Sequence, residues 1–220
     1  MKKGLAEVIV LHDKNAPVSG LEKTVLKCAD EFLVSLRNTE AVNTDDLQIR
    51  FSCAVFGGEY DLFVESVPIA DVKLTNKKFT VKGTRDFFDS AANLITQKGI
   101  AYSNQPENEH PENVILILVA FGRDNASKNF TYSQVADMIR HQTEVYKWKF
   151  FCVTGDSFVS EQLGIPEEFI VLFDSKEEGF FAKALEELAA RIINLLAPPP
   201  APPDEPDESA ETDDEAGEAD

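Results

Sequence analysis

The chain has 220 residues, 43% of them apolar, enough for one substantial core with an extension attached. It carries 21 basic against 39 acidic residues, a net charge of −18; ten of the acidic residues and none of the basic ones fall in 197–220, which leaves residues 1–196 at −8. That sign argues against a nucleic-acid binder, whose affinity rests on Lys and Arg neutralising phosphates.

The first apolar run, Val8–Leu11, reads as a buried strand that ends in Asp13 and a turn, KNAPVSG. Ser19 and Glu22 form a capping-box pattern before a helix over Leu21–Arg37. In Gln48–Phe56 the residues Ile49, Phe51, Cys53 and Val55 alternate with smaller or polar ones, and Gly57-Gly58 then signals a hairpin into an antiparallel strand over Glu59–Val67, where Asp61 and Glu65 suit an edge. Lys73, Lys77, Lys78, Lys82 and Arg85 are the densest basic stretch and read as solvated surface. A helix follows Gly83-Thr84, near Asp86–Gln97.

Val114–Phe121 is a second fully apolar strand. Thr131 and Gln134 cap a helix over Tyr132–Tyr146, and Trp148 before the strand Phe150–Val153 reads as core. After a short helix come the strand Phe169–Phe173 and a last helix, Gly179–Leu196, with Ser175 and Glu178 as its start signal. Phe180, Phe181, Leu185, Leu188, Ile192 and Leu195 recur there at helical spacing and are expected to cover the sheet. The order β-α-β-β-α-β-α-β-(short helix)-β-α predicts an α/β, three-layer, doubly wound (Rossmann-like) sheet of about six strands, mostly parallel with one antiparallel edge strand. Ligands in such folds sit at the carboxyl ends of the strands, which places Asp13 at the mouth. Residues 1–196 are expected to form this domain and 197–220, Pro-rich and then acidic, a disordered tail. That tail reads as a solubilising linker; the alternatives are that it competes for a basic patch on a partner or folds back onto Lys73–Arg85.

Cys28, Cys53 and Cys152 lie apart in apolar segments, with neither a disulfide framework nor zinc spacing. No stretch reaches the roughly 20 apolar residues of a membrane span, and the amino-terminal run is short, holds Glu7 and lacks a cleavage site. A soluble, reduced, cytoplasmic protein with no membrane partner is expected. Phosphate-binding and nucleophile-elbow signatures are absent, since G-x-x-x-x-G-K-[ST], G-x-G-x-x-G and G-x-S-x-G do not occur. His12, His110 and His141 fall at a strand end, in a loop and on a helix, and read as structural or exposed, so no enzyme is predicted.

The segments DKNAPVSGLE, GTRDFFDSA and ILVAFGRDNASKNFTYSQVADMIRHQ, followed by WKFFCVTG, resemble the von Willebrand factor A domain, and within it bacterial and phage-type members, from about Ala6 to Phe173. The resemblance implies the von Willebrand A fold and a metal-ion-dependent adhesion site, built from D-x-S-G-S, G-x-T-A-L-x-D-A and T-D-G-x-x-N-A-S loops, which holds Mg²⁺ or a similar ion whose open position takes a partner's carboxylate. Asp13 matches the first aspartate, but Asn15 and Pro17 replace the serines; Gly83 and Asp89 match the second loop while Arg85 takes the threonine's place; Gly122, Asn125, Ala126 and Ser127 match the third while Ala120 and Phe121 replace Thr and Asp. Mg²⁺ wants oxygen ligands near octahedral geometry, and a proline, an aromatic ring and a fixed cation do not supply them. No metal or other cofactor is therefore expected.

A cation at a helix start opposes the macrodipole and wants a carboxylate, so Arg85 is expected to pair with Asp13 or Asp86 in the vacated ion position. The alternative is that Arg85 points to solvent and Asp13 caps its turn. Phe121 either anchors a partner or closes the hole. The function predicted is a non-enzymatic interaction domain that binds an unidentified protein through Asp13, Asn15, Arg85, Asp86, Phe121, Arg123 and Asp124. The alternative is an Mg²⁺-dependent binding module in which Asp13, Asn15 and Asp124 keep a residual ion site.

Overall fold

The computed structural model describes residues 1–15, 22–39, 46–75 and 83–197. Strands β1 (Lys2–Asp13), β2 (Gln48–Phe56), β3 (Asp61–Pro68), β4 (Pro111–Ala120), β5 (Lys149–Thr154) and β6 (Ile170–Leu172) are joined by helices α1 (Glu22–Arg37), α2 (Phe87–Ser103), α3 (Tyr132–Tyr146), α4 (Ser157–Leu163) and α5 (Phe180–Leu196). The strands form one sheet in the order β3-β2-β1-β4-β5-β6. Only β2 and β3 pair antiparallel, and β1 lies between two parallel neighbours, β2 and β4. This is the doubly wound sheet with one antiparallel edge strand that the element order predicts.

Alternation along β1 assigns its residues to two cores. Val8 and Val10 join the cluster under α1 and α5, and Ile9 and Leu11 join the one under α2, α3 and α4. From Leu5 to Asp13 the strand is buried throughout, which is why no polar face shows in its sequence. The chain leaves β1 for β2 on one side and reaches β4 on the other, so the strand order reverses at β1 and opens a crevice beyond Asp13.

Several local signals are realised. Gly57 and Gly58 take positive φ (124° and 92°) at the hairpin. Thr131 and Gln134 make the reciprocal capping box of α3. Trp148 is buried, its ring edge-on to Tyr102 at 5.7 Å. The last helix departs from expectation: Gly179 sits at φ 70° and is itself the N-cap, so Ser175 caps nothing and the helix begins at Phe180. Ser19 of the expected Ser19–Glu22 box, Pro17, Lys77, Lys78, Lys82 and residues 198–220 lie outside the described residues. Among the described residues no helix is long and apolar enough to cross a membrane.

Helix α2 runs six residues past its expected end, to Ser103, and Lys98 in that extension has buried partners. Its Nζ donates to Glu7 Oε1 at 2.5 Å and to Ser52 Oγ at 3.1 Å, while Ser52, Ser66 and Tyr102 hydroxyls also donate to the Glu7 carboxylate at 2.7–2.8 Å. Burial raises the Glu7 carboxyl, but the Lys98 charge and these hydrogen bonds prevail and hold it below its ordinary value of 4.5. A carboxyl lowered in the fold contributes stability above its unfolded value and loses it as pH falls through the folded one. Lys98→Met leaves a buried carboxylate without its cation, and should cost about 3–5 kcal/mol at neutral pH, read from the urea midpoint. The loss should shrink at low pH as Glu7 protonates, and the double variant Glu7→Gln/Lys98→Met should recover much of it.

Candidate functional site

Asp13 ends β1 on the face that looks toward α2, and its carboxylate is buried. Oδ1 accepts from the Asn15 backbone N–H at 2.8 Å and from Asn15 Nδ2 at 3.1 Å; Oδ2 accepts from Arg85 Nε and from the Phe121 backbone N–H, each at 3.2 Å. An ionised carboxylate offers about four acceptor positions, so this one is saturated. Burial pushes the Asp13 carboxyl above its ordinary value, while the Asn15 N–H, the Arg85 charge and the Phe121 N–H pull the other way. Of the two arrangements open to Arg85, the structure has the ion pair with Asp13, the arginine side chain 24% exposed and the aspartate wholly covered.

Asn15 reaches across to the loop before α2, accepting from Gly83 N–H at 2.7 Å and donating to the Thr84 carbonyl at 2.9 Å. Gly57 must lack a side chain here, since a Cβ would stand 2.7 Å from Asn15 Nδ2. Asp86 does not pair with Arg85. Its Oδ1 accepts from the N–H groups of Gly57 and Gly58 at 3.2 and 3.3 Å and so ties the hairpin to the start of α2.

The GRDNAS segment staples the third loop to the second. Asn125 Oδ1 accepts from Arg85 N–H, and Arg85 O accepts from the N–H groups of Asn125 and Ala126, all at 2.9–3.0 Å. Asp124 Oδ2 accepts from Phe88 N–H at 3.1 Å and Ser127 Oγ from Asp89 N–H at 3.0 Å, so side chains from another loop satisfy the first-turn donors of α2. Asp89 returns the contact, accepting from Lys128, Asn129 and Phe130 N–H groups at 2.8–3.0 Å. Burial raises its carboxyl, but these N–H bonds together with the Asn129 side chain prevail and hold it below the ordinary value.

Several predicted site residues fall elsewhere than a binding rim. Phe121 is buried, its ring 5.2–5.8 Å from those of His12, Phe173 and Phe181, so it closes the hole and is not a surface anchor. Asp13 and Asn15 are covered as well. The exposed feature is Arg123, whose Nε donates to Asp156 Oδ2 at 2.6 Å and whose guanidinium lies 4.3 Å from the centre of the Phe158 ring, itself 41% exposed. Asp156 and Phe158 carry no motif and escape sequence reasoning; only the approach of two loops puts them beside Arg123.

A divalent ion needs oxygens with free lone pairs converging on one point. Asp13 has none left, and Asp124 accepts from Phe88, Ala126 and Ser127 N–H groups and from Ser127 Oγ. Asn15 Oδ1 holds Gly83 N–H. Among the described residues no group of three or more His, Cys, Asp or Glu is placed to hold a metal. The candidate oxygens of Asp13, Asn15 and Asp124 are thus already engaged by protein donors.

No model of a known protein family matches the chain, and no curated sequence matches it. Solved structures do. Proximal thread matrix protein 1 from the mussel byssus is 12% identical over 88% of this chain and 46% of its own, with a TM-score of 0.59, and a further structure of that protein has a zinc-occupied MIDAS motif, at 15% identity, 88% and 48% coverage and a TM-score of 0.57. The PilB minor pilin of Streptococcus sanguinis is 9% identical over 90% of this chain and 63% of its own (TM-score 0.56), and the pilus adhesin SpaC of Lactobacillus rhamnosus GG 11% over 88% and 30% (TM-score 0.58). The chain thus spans less than two thirds of each of these proteins. At such identities the likeness is one of fold, and the fold is the von Willebrand A-like, Rossmann-like arrangement that the motif resemblance implies.

Two measurements check this geometry. Asp124→Ala strips caps from the start of α2 and should cost about 1–3 kcal/mol in thermal unfolding, the range for buried donors left unmet. His12, packed against Phe121 and Phe181, is pushed down to about 4 by burial, which outweighs its contact with the Asp13 carbonyl. Its unfolded value is 6.5, so the unfolded chain binds the extra proton between the two, and stability that is full above pH 6.5 is lost as pH falls toward 4. Urea midpoints should fall by the equivalent of roughly 3 kcal/mol over that window, and His12→Leu should remove this part of the slope.

Proposed function

We propose that the chain is a non-enzymatic protein-interaction domain of von Willebrand A type whose ion position is degenerate, and that it binds a protein partner by the loops at the carboxyl ends of its strands without a bridging metal. The observation that carries this reading is the saturated Asp13 carboxylate, in which a guanidinium and three other N–H donors stand where an ion would need free oxygens. The fold supports it too, because the proteins it resembles are by name a thread matrix protein, a minor pilin and a pilus adhesin. Missing nucleotide-binding and nucleophile signatures favour a binding role over catalysis. The contact surface is then the rim around Arg123 and Phe158 together with Arg85, with Asp13, Asn15, Asp86, Asp124 and Phe121 holding that rim in shape.

An Mg²⁺-dependent module using Asp13, Asn15 and Asp124 is the competing reading, and the two separate cleanly. Affinity capture from native lysate, with and without chelator, should retain the same partner in both arms and lose it with Arg123→Glu. Calorimetric titration of Arg85→Thr with Mg²⁺ should show no tight binding, since the other oxygens remain engaged. Capture abolished by chelator, or tight Mg²⁺ binding by that variant, overturns the proposal.

A further inference from the structure

We infer that Arg85 is a built-in receptor for a carboxylate carried by the partner, an Asp or Glu side chain presented at the loop face. This rests on the interaction reading above and gives its partner a chemistry. An arginine has five N–H donors in a planar fork. Arg85 uses its Nε–H on Asp13 Oδ2, and its Nη1 and Nη2 donors make no hydrogen bond among the described residues. The side chain is 24% exposed, so the residue is accessible to a group at the rim.

The fork is also fixed in place before anything binds. Nε is locked on a buried carboxylate, the Arg85 backbone is held on both its N–H and its carbonyl by the 125–126 segment, and the guanidinium lies against Gly122, where a Cβ would come within 3.3 Å of Cζ. A ligand therefore meets a donor pair whose side-chain entropy is already lost, which favours affinity. The surrounding acceptors are in the opposite condition. Asp13, Asp89 and Asp124 all have their oxygens engaged by N–H or hydroxyl donors from the loops. Among the described residues, the unmet hydrogen-bonding capacity beside Arg85 is thus donor capacity, and a ligand that meets it must bring acceptors. Two parallel N–H groups match the two oxygens of a carboxylate. A phosphate has the oxygens but about twice the charge, and it would enter beside Asp86 and Asp124 on a chain of net charge −18, so the single charge of a carboxylate is the better fit.

The test uses the whole ¹⁵N-labelled chain and follows the Arg85 Nε–Hε signal by NMR while four peptides with otherwise blocked ends are added: Ac-Gly-Asp-Gly-NH2, its Asn counterpart, Ac-Gly-Gly-Gly-OH and Ac-Gly-phosphoserine-Gly-NH2. The Asp peptide should shift that signal saturably, with the Gly122 and Arg123 amides, and the Asn peptide should bind at least about tenfold more weakly, the loss expected for one charge-assisted contact. Equal or tighter binding of Ac-Gly-Gly-Gly-OH would keep the carboxylate receptor and move its source to a chain terminus. Arg85→Lys keeps the charge beside Asp13 but not the fork, and should weaken the Asp peptide by a similar factor. An Asn response equal to the Asp response, a preference for the phosphopeptide, or shifts that bypass Arg85 overturns the inference, and the wild-type comparison decides this even where the variant folds poorly. A captured partner whose binding survives all of these losses sinks the receptor and leaves the interaction reading intact; a carboxylate response with no captured partner does the reverse.

Discussion

A buried carboxylate at the end of a central strand is costly unless it is matched by donors, and matching Asp13 draws three separate loops together. Its partners come from the loop that follows β1, from the connection that enters α2 and from the residue after β4. Only the Asn15 contact is local, two residues on from Asp13; the other two segments are held by residues distant in the chain. Each is fixed because the alternative leaves a charge or an N–H group uncovered, and the crevice where the sheet reverses its strand order becomes a rigid, closed mouth.

The same strand carries a second buried carboxylate, and the pair explains how α2 is seated. Glu7 and Asp13 lie on one face of β1, six residues apart, about 20 Å at the usual strand rise. Their cations run in the opposite direction, Lys98 within α2 and Arg85 in the connection that enters it. The two ion pairs tether α2 and the connection that enters it to β1 at two points. A slide of α2 along the sheet would unpack its buried Phe87, Ala91, Leu94 and Ile95 and would also leave a buried carboxylate stranded.

This arrangement decides what the loop face can offer a partner. Asp86, Asp89 and Asp124 look like ligands in the sequence, yet each accepts backbone N–H groups from a neighbouring loop and thereby stiffens it. Among the described residues, what is left over is donor and aromatic: the Arg85 fork, and Arg123 laid over Phe158. On the interaction reading proposed above, such a face would receive acidic groups directly, with no ion between.

The sequence by itself determined the sheet. Fully apolar runs, the Gly57-Gly58 hairpin and the Thr131–Gln134 box are local signals whose physics acts within a few residues, and the layers, the antiparallel edge and the placement of Asp13 at the mouth follow from them. The motif resemblance likewise located the three loops, and the pairing of Arg85 with Asp13 was one of two arrangements it left open. Tertiary structure alone decided between those two, buried Phe121, turned Asp124 toward α2 and set Arg123 against Phe158. It also made Glu7, an interruption in an apolar run, the partner of Lys98 ninety-one residues on. Such contacts join residues distant in the chain, and their energies depend on burial, which no local pattern records.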